Sequence, residues 1–389
     1  MRGFAGRTKD ELHPHGVEFR FQASAGHQRH SRRVTPMRTA LFDVPRLFAP
    51  ILPRLEADLR AHFRIPDVRV TPVGYENRPF SHILRVSVHT GQPPSERLLF
   101  VKVFKSQADP PGVDKMRQRV RHDFESTRRI ADAMSTHAEF GVARPVACYL
   151  EHLAIVTEEA AGETLKIYLE KTARWFPTLQ QIRELERTLS NVGRWLRAFQ
   201  AVDSVGGPVM LSALCDYVDL RLHRLVVHRK CTPLQRETVL RHLNALAGEV
   251  SPDGLAEVLI HADLGPGNVL VCQGSVTVID LAMVQRGTAL HDISRLYVHL
   301  DVLRAKPQFR SSVVGRLQRA LLYGYDPGLT ADWPLFRFLV MLHRINHFGT
   351  LSLNRERFPG SLMSRRVLRV HRAWIDKELQ QGAVQVVRR

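Results

Sequence analysis

Two short stretches in the C-terminal half of the chain contain polar side chains whose types and spacing could support catalysis. "IHADLGPGNVLV", residues 260–271, sets His261, Asp263 and Asn268 around a Gly-Pro-Gly turn. "VTVIDLA" follows and ends an apolar run with Asp280. Two carboxylates and an amide oxygen that converge on one cleft suit a hard cation such as Mg²⁺, which also binds phosphate oxygens. One of the carboxylates can instead align an acceptor hydroxyl and take its proton, so the combination favours a catalytic site over a polar turn.

The order H-x-D-x-x-x-x-N followed by I-D resembles the catalytic and metal-binding loops of the protein-kinase-like superfamily. In its details it resembles the branch of aminoglycoside phosphotransferases and choline kinases. The resemblance covers most of the chain between residues 68 and 296. It implies that Asp263 is the catalytic base and that Asn268 and Asp280 hold Mg²⁺. It also implies that His261 braces the loop.

A site of this kind needs a cation on a strand to hold the phosphates of ATP and an acid on the next helix to position that cation. "FVKVF" supplies Lys102 within a strand-like run, and "RHDFESTRRI" supplies Glu125 in the following helix. An outward-facing strand lysine is the alternative for Lys102 alone, but the downstream motif favours the ATP role. Glu125 is the preferred partner, ahead of Asp123 and Asp114.

Two further segments are assigned to the nucleotide by resemblance. The turn "VGYENRPF" departs from G-x-G-x-x-G and resembles the looser G-x-x-N turn of the phosphotransferase branch, which implies that Gly74 and Asn77 cover the phosphates. "VTEEAAGETL" lies where the superfamily has the hinge that receives adenine. Backbone groups near Glu158 and Ala160 would then bind the base.

The stretch "RGTALHDISRL" carries Asp292. A similar downstream aspartate in the superfamily lies on a helix and hydrogen-bonds the backbone of the catalytic loop, and we carry Asp292 over in that role. An ordinary helix N-cap is a second interpretation, compatible with the first. Asp292 follows Asp280 by only 12 positions, which leaves no room for a long activation segment. Ala262 also stands where regulated protein kinases typically carry an arginine, so both features favour a small-molecule kinase.

The N-terminal half is predicted to be β-rich. Residues 1–36 are rich in Arg, His, Gly and Ser and are interpreted as a disordered basic tail. Period-two patterning predicts strands, and apolar residues at helical spacing predict helices. The predicted strands are Val68–Val73, Ser81–Val88 and Arg97–Phe104, with a turn at Gly91–Pro94, and the predicted basic helix is Asp114–Ala133.

The C-terminal half is predicted to be mainly helical. Thr178 and Gln181 form a capping-box pattern before a helix. Its apolar residues fall on one face, namely Ile182, Leu185, Leu189, Val192, Leu196 and Phe199. Pattern and resemblance together predict an α+β, bilobal protein-kinase-like fold. Residues 37–157 would form the small ATP-binding lobe, and residues 158–389 the larger catalytic and acceptor-binding lobe.

The formal net charge of +18 favours an anionic partner, although a coding bias toward arginine would have the same effect. Aminoglycosides are polycations whose kinases need an acidic acceptor cleft. The insert at Asp216–Leu243, where the family builds its acceptor site, is net basic despite Asp216, Asp219 and Glu237. We therefore expect transfer of the γ-phosphate of ATP to a hydroxyl of a neutral or anionic molecule, such as a sugar, a sugar phosphate or a membrane-presented glycolipid.

Other interpretations stay open. The chain could be an aminoglycoside or choline-like amino-alcohol kinase, or an ATP-binding scaffold without catalysis, although every residue of the catalytic motif is present. Specific nucleic-acid binding is not expected, because no recognition motif accompanies the positive charge. His343 and His347 in "HRINH" have the spacing of a helical metal site, but without a Glu after the first His they are better interpreted as packed or solvated.

Four dispersed cysteines, with no CxxC pair, favour a reducing cytosol over a disulfide framework. The sequence has no apolar stretch of about 18 residues and no apolar signal core at its N-terminus. We therefore expect a cytoplasmic protein, with peripheral contact to an anionic membrane as one use of its charge.

Overall fold

The structure is a computed structural model that describes residues 44–388, except 65–66, 91–94, 107–109, 204–205, 252–254 and 354–359. The predicted tail and the predicted turn at 91–94 lie outside the described residues. The helices are α1 Ile51–Phe63, α2 Pro110–Met134, α3 Leu165–Thr172, α4 Leu179–Ala201, α5 Leu211–Val227, α6 Pro233–Gly248, α7 His291–Asp301, α8 Ser311–Tyr325, α9 Pro334–Leu353 and α10 Gly360–Arg388. The strands are β1 Val68–Asn77, β2 Ser81–Thr90, β3 Ser95–Phe104, β4 Phe140–Val142, β5 Pro145–Tyr149, β6 Ala154–Glu158, β7 Glu163–Thr164, β8 Glu257–Ile260, β9 Val269–Cys272, β10 Ser275–Val278 and β11 Gln285–Thr288.

A five-stranded sheet in the order β1-β2-β3-β6-β5 forms the N-terminal region, and its neighbours run antiparallel. Lys102 lies on the central strand β3, between Ile83 of β2 and Ile155 of β6. Val101 and Val103, its chain neighbours, pack into a core cluster with helix α1. Because successive side chains of a strand alternate between faces, Lys102 is directed to the opposite face of the sheet.

Strand β1 runs four residues further than predicted, through the stretch expected to be a turn. Gly74 pairs with Arg85 and Asn77 pairs with His82, and the ladder shifts register between Pro72 and Gly74. Proline cannot donate a ladder hydrogen bond, so the irregularity accommodates it and the arm of the hairpin continues. The chain reverses at residues 78–80, within the predicted connection but after Gly74 and Asn77, which lie on strand β1, and their role over the phosphates stays a prediction.

Helix α4 has the predicted cap and the predicted buried face. The Thr178 hydroxyl accepts from Gln181 N–H at 3.2 Å, and the Gln181 side chain accepts from Thr178 N–H at 2.8 Å. Every residue of the predicted apolar face is buried in the large C-terminal core. Each such side chain contributes about 1.5–3 kcal/mol when it is removed from water. This helix is therefore a rigid support beneath the β-strands that follow.

Two small sheets hold the polar loops identified from the sequence. Strand β8 leads into the His261–Asn268 loop, and β9 leaves it; β9 pairs with β10, which ends just before Asp280. Strand β11 lies between Asp280 and Asp292 and pairs with β8. Because β9 pairs with β10 and β8 pairs with β11, the two loops lie side by side. The short span between Asp280 and Asp292 contains strand β11.

The predicted α+β class is confirmed, with a β-rich N-terminal region and a helical C-terminal part. The boundary at residue 157 stays a prediction. All four cysteines are free thiols. Within the described ranges, no helix has the length and apolar character to cross a membrane.

Candidate active site

Asn268 closes the loop between β8 and β9 and joins it to the loop that carries Asp280. Its N–H donates to the Gly265 carbonyl at 2.9 Å, and its side-chain Nδ2 donates to the Asp263 carbonyl at 3.0 Å. Its own carbonyl accepts from Ile279 N–H at 3.0 Å. The amide that was predicted to hold Mg²⁺ is therefore fixed by bonds to both loops.

His261 is fully buried and bridges the same two loops. Its Nδ1 accepts from Asp263 N–H at 3.3 Å, and its Nε2 lies 3.2 Å from the Ile279 carbonyl. Because a backbone N–H can only donate and a carbonyl can only accept, these partners assign the neutral tautomer with the proton on Nε2. The position of His261 matches its predicted bracing role.

Asp292 is fully buried and binds the backbone of the catalytic loop, as the resemblance implied. Its Oδ2 accepts from His261 N–H at 2.6 Å, and its Oδ1 accepts from Ala262 N–H at 3.0 Å. Burial opposes its ionisation, but the hydrogen bonds from the His291 side chain and the His261 backbone outweigh burial and lower the pKa of Asp292. Asp292 is the second residue of α7, and the N-cap position belongs to Leu290, so the N-cap interpretation is wrong.

Ala262 and Asp280 both adopt left-handed backbone conformations, with φ of 60° and 65°. Such a conformation costs a non-glycine residue about 1–2 kcal/mol, less for aspartate than for alanine. The hydrogen bond from Ala262 N–H to buried Asp292 offsets part of that cost. Backbone strain of this kind persists where surrounding structure enforces it, and it concentrates at functional sites.

Lys102 forms an ion pair with Asp280 across the cleft between the sheet and the loops. Lys102 Nζ lies 2.7 Å from Asp280 Oδ1. Burial opposes the ionisation of Asp280, but the charge of Lys102 and its hydrogen bond overcome burial and lower the pKa. The strand lysine is therefore turned toward the loop residues, and the outward-facing alternative is wrong.

Asp123, rather than Glu125, is the acid that helix α2 places beside this ion pair. Glu125 is exposed, whereas Asp123 is buried. Burial raises the pKa of Asp123 to about 6, and the charge of Lys102 acts in the opposite direction. The two acids are two positions apart, which is more than half a helical turn, so only one of them can face the sheet. The preference for Glu125 as the partner of Lys102 is therefore wrong.

A sequence model of the phosphotransferase enzyme family matches residues 115–339, more than half of the chain. The chain belongs to the phosphotransferase enzyme family. The match begins after Lys102 and includes the catalytic loop, Asp280 and Asp292. A comparison with curated protein sequences finds no match.

Several solved structures resemble this phosphotransferase at low identity. A thermostable mutant of aminoglycoside phosphotransferase APH(4)-Ia with ADP and hygromycin B is 19% identical, covering 84% of this chain and 98% of that chain, with a TM-score of 0.49. Choline kinase from Cryptosporidium parvum is 12% identical, covering 85% and 96%, with a TM-score of 0.49. An amicoumacin kinase is 15% identical, covering 78% and 88%, with a TM-score of 0.47. Likenesses at this level carry no argument about the substrate of this chain.

The phosphotransferase holds Asp263 with an arginine that was missed in the sequence. Arg295 of α7 donates through Nη2 to Asp263 Oδ1. The side chain of Arg295 is 7% exposed, and that of Asp263 is 28% exposed. Burial raises the pKa of Asp263, and the positive charge of Arg295 counteracts part of that shift. Arg295 follows Asp292 by three positions and so shares its helix face, but that spacing alone does not predict a contact with Asp263.

Helix α5 brings polar side chains into the surroundings of Arg295. Tyr217 is partly buried, and its charge environment includes Arg295. Arg221, one turn further along α5, donates through Nε to the Tyr217 hydroxyl at 3.2 Å. Helix α5, which belongs to the predicted acceptor insert, therefore contributes Tyr217 to the surroundings of Arg295, and Arg295 binds Asp263.

Buried histidines pack behind the catalytic loop. The His299 ring packs against Gly265 and supports the loop backbone: its Nε2 lies 3.6 Å from the position that a Cβ atom on Gly265 would occupy. The His299 and His347 rings lie 5.9 Å apart, and His347 Nδ1 lies 3.0 Å from His371 Nε2. His343 Nε2 lies 2.9 Å from the His291 carbonyl. His343 and His347 are thus packed side chains, as interpreted from the sequence. His343 contacts the His291 carbonyl, and His347 contacts His371.

Hydrogen bonds hold both segments assigned to the nucleotide, through the backbone in one and through a side chain in the other. Glu158 and Glu159 donate their N–H groups to the carbonyls of Arg144 and Leu98, each at 2.8 Å. The Asn77 side chain accepts from Lys105 Nζ at 2.8 Å. Asn77 therefore sits at the end of the β1–β2 hairpin in contact with a lysine that follows β3.

Proposed function

We propose that this phosphotransferase is a kinase that moves the γ-phosphate of ATP to a hydroxyl of a small molecule. The observation that carries this proposal is the 2.7 Å ion pair between Lys102 and Asp280, which joins the expected phosphate-binding cation to the expected metal ligand. Asp263 belongs to the same cleft, because His261 hydrogen-bonds both the Asp263 N–H and the carbonyl of Ile279, the residue before Asp280. In-line phosphoryl transfer needs a cation, a metal ligand and a hydroxyl-orienting acid together.

Asn268 and Asp280 fit the requirements of a Mg²⁺ site. Asn268 uses Nδ2 to bind the Asp263 carbonyl, so its amide oxygen is directed away from that bond. Asp280 supplies a carboxylate, and both groups are hard oxygen donors. When bound there, Mg²⁺ neutralises charge on the phosphate oxygens.

Asp263 is assigned as the group that orients the acceptor hydroxyl and takes its proton. Arg295 binds Oδ1, and we assign Oδ2 to the hydroxyl. The guanidinium fixes the rotation of the carboxylate and favours its charged form, which the reaction requires. Arg295 is therefore a positioning residue, which acts on the acceptor through Asp263.

The acids of the acceptor insert are mostly neutralised by arginines. Asp219 accepts two hydrogen bonds from Arg236, at 2.5 and 2.7 Å, and Glu237 accepts one from Arg241 at 2.7 Å. Of the three acids noted there, Asp216 alone lacks an arginine partner within the part of the chain that the structure describes. Arg221 instead donates to the Tyr217 hydroxyl, and the charge of Arg295, the arginine that binds Asp263, reaches Tyr217. These features support a neutral or anionic acceptor, such as a sugar or a glycolipid head, over an aminoglycoside.

Adenine recognition is assigned to the segment after β6. The N–H groups of Glu158 and Glu159 are already engaged, so the backbone of Ala160 is the better donor for the base. The location we propose is cytoplasmic, with peripheral membrane contact supported by the excess positive charge.

The experiment that tests this function is Mg²⁺-dependent ADP release from ATP, run with panels of sugars, sugar phosphates, lipopolysaccharide core fragments, amino alcohols and aminoglycosides. Stimulation by a neutral or anionic class is the expected result. Stimulation by aminoglycosides or amino alcohols would replace the proposed acceptor with the alternative one. Tight ATP binding without stimulation by any panel would support the scaffold alternative and contradict the proposal.

A further inference from the structure

Three large apolar side chains point into solvent where α3 turns into α4. Trp175 is 62% exposed, Phe176 75% and Leu179 67%. Singly exposed apolar residues are normal on protein surfaces, but three within five positions form a patch. We call these three residues the corner patch. An exposed apolar patch of this kind is typical of a surface that contacts a membrane or another molecule.

The backbone holds the corner patch in place. Trp175 has φ of 57°, a conformation that a bulky residue adopts rarely. Its N–H donates to the Gln308 carbonyl at 2.6 Å, and the capping box of Thr178 starts α4 immediately afterwards. The two aromatic side chains are thus presented by an enforced turn that faces outward.

Cations surround the corner patch. The Arg310 guanidinium lies 4.3 Å from the centre of the Phe176 ring. Along the chain, Lys171 lies near the end of α3, Arg174 directly precedes Trp175, and Arg183 follows Leu179 by about one turn of α4. Residues 163–184 and 306–310 together contain six Lys or Arg and three Glu. The apolar tip therefore stands in a net positive rim.

We propose that the corner patch docks the protein on an anionic lipid surface, with Trp175 and Phe176 inserted among the headgroups. Aromatic and aliphatic side chains next to Lys and Arg are the composition of interfacial anchors, and arginines can cover apolar surface while reaching toward phosphate. Three side chains bury much less than the roughly 800 Å² per partner of a standard protein interface, so a protein partner fits less well. The proposal does not depend on the kinase reaction.

The test is co-sedimentation of the full chain with phosphatidylcholine vesicles, with and without phosphatidylglycerol. The double variant Trp175→Asn, Phe176→Ser removes the aromatic rings, and asparagine tolerates the left-handed conformation of position 175. Leu234→Ser is the matched control, because Leu234 is 69% exposed on α6. Wild type and the control should bind the anionic vesicles, and the double variant should bind at least about tenfold more weakly.

Three results would overturn this proposal. Equal binding to both vesicle types would remove the role of the basic rim, and unchanged binding of the double variant would remove the role of the aromatic rings. Self-association of wild type that the double variant loses, without vesicle binding, would make a second copy of the chain the occupant. Thermal unfolding of each variant shows whether a loss of binding reflects the patch or the fold.

Discussion

The proposed nucleotide side and the proposed acceptor side of the cleft are built in different ways. On the nucleotide side, the central strand β3 carries Lys102, and the loop that follows β10, which pairs with β9, carries Asp280; the two side chains meet as an ion pair. On the acceptor side, helix α7 supplies Arg295, which binds Asp263, and helix α5 supplies Tyr217, whose charge environment includes Arg295. The first side rests on short motifs that can be identified in the sequence. The second rests on long-range packing, where substrate choice can vary without loss of the transfer chemistry.

The largest effect expected on the nucleotide side is that of Asp280→Ala. It removes the carboxylate that would hold Mg²⁺ and leaves Lys102 without its ion-pair partner. We expect a loss of at least about 10³-fold in kcat/KM and of the Mg²⁺-dependent part of nucleotide affinity. Titration calorimetry with and without Mg²⁺ measures the second effect, and an unchanged metal dependence would contradict the assignment.

Lys102→Met should have the next largest effect, about 10²-fold in kcat/KM. The change keeps most of the side-chain length and removes the charge that lies 2.7 Å from Asp280. Lys105→Met is the matched control, since Lys105 binds Asn77 at the hairpin end instead. Equal losses in both variants would mean that the ion pair has no special role on the nucleotide side.

Arg295→Gln tests the acceptor side through pH. Because the charge of Arg295 lowers the pKa of Asp263, its removal should raise that pKa and move the acidic limb of the kcat/KM profile to higher pH. A loss of about tenfold near neutral pH should accompany the shift. Arg295→Lys should restore part of the wild-type profile. A uniform loss at all pH values would indicate a structural role only.

Asp123→Asn and Glu125→Gln form a matched pair on helix α2. The buried Asp123 interacts with Lys102, whereas Glu125 is exposed. We expect Asp123→Asn to change the KM for ATP by a few fold and Glu125→Gln to leave it unchanged, since an exposed charge contributes little. The reverse ranking would restore the preference for Glu125.

Lowering the pH to 5.5 should have the smallest effect on catalysis, but it should measurably reduce the free energy of unfolding. Burial lowers the pKa of His347 to about 4 and that of His371 to about 2. The unfolded chain binds protons near pH 6.5, whereas the folded chain resists them, so stability should fall as pH drops below about 6.5. Each of these histidines lowers the free energy of unfolding by up to about 1.4 kcal/mol for every pH unit below that pH. Urea unfolding at pH 7 and pH 5.5 measures the change, and equal stabilities would contradict the buried neutral histidines.

The local parts of the site were predictable because local pattern determines them. The expectations for His261 and Asp292 rest on loop and helix positions close to the motif. Asp292 accepts from the loop backbone as expected, and His261 contacts the carbonyl of Ile279 in the neighbouring loop. The choice of Glu125 failed although a signal existed. Val120, Asp123 and Ile130 share the buried face of α2 at helical spacing, so Asp123 belonged to that face.

The remaining errors came from contacts between distant segments. The Gly74–Asn77 stretch has turn residues, but its pairing with β2 extends the strand, because a long partner strand can overrule local turn preference. Arg295 lies 32 positions from Asp263, and only the docking of α7 against the loop brings them together. Neither the pairing length nor the helix docking is determined by a local sequence pattern.

A single preparation of the Asp263→Asn variant tests most directly whether nucleotide binding and phosphoryl transfer depend on different sides of the cleft. ATP affinity in the presence of Mg²⁺ and the rate of phosphoryl transfer would be measured on the same sample. Our account predicts an affinity within about twofold of wild type and a rate reduced by at least about 10³-fold. A retained rate would contradict Asp263 as the base, and a lost affinity would contradict the separation of the nucleotide side from the acceptor side.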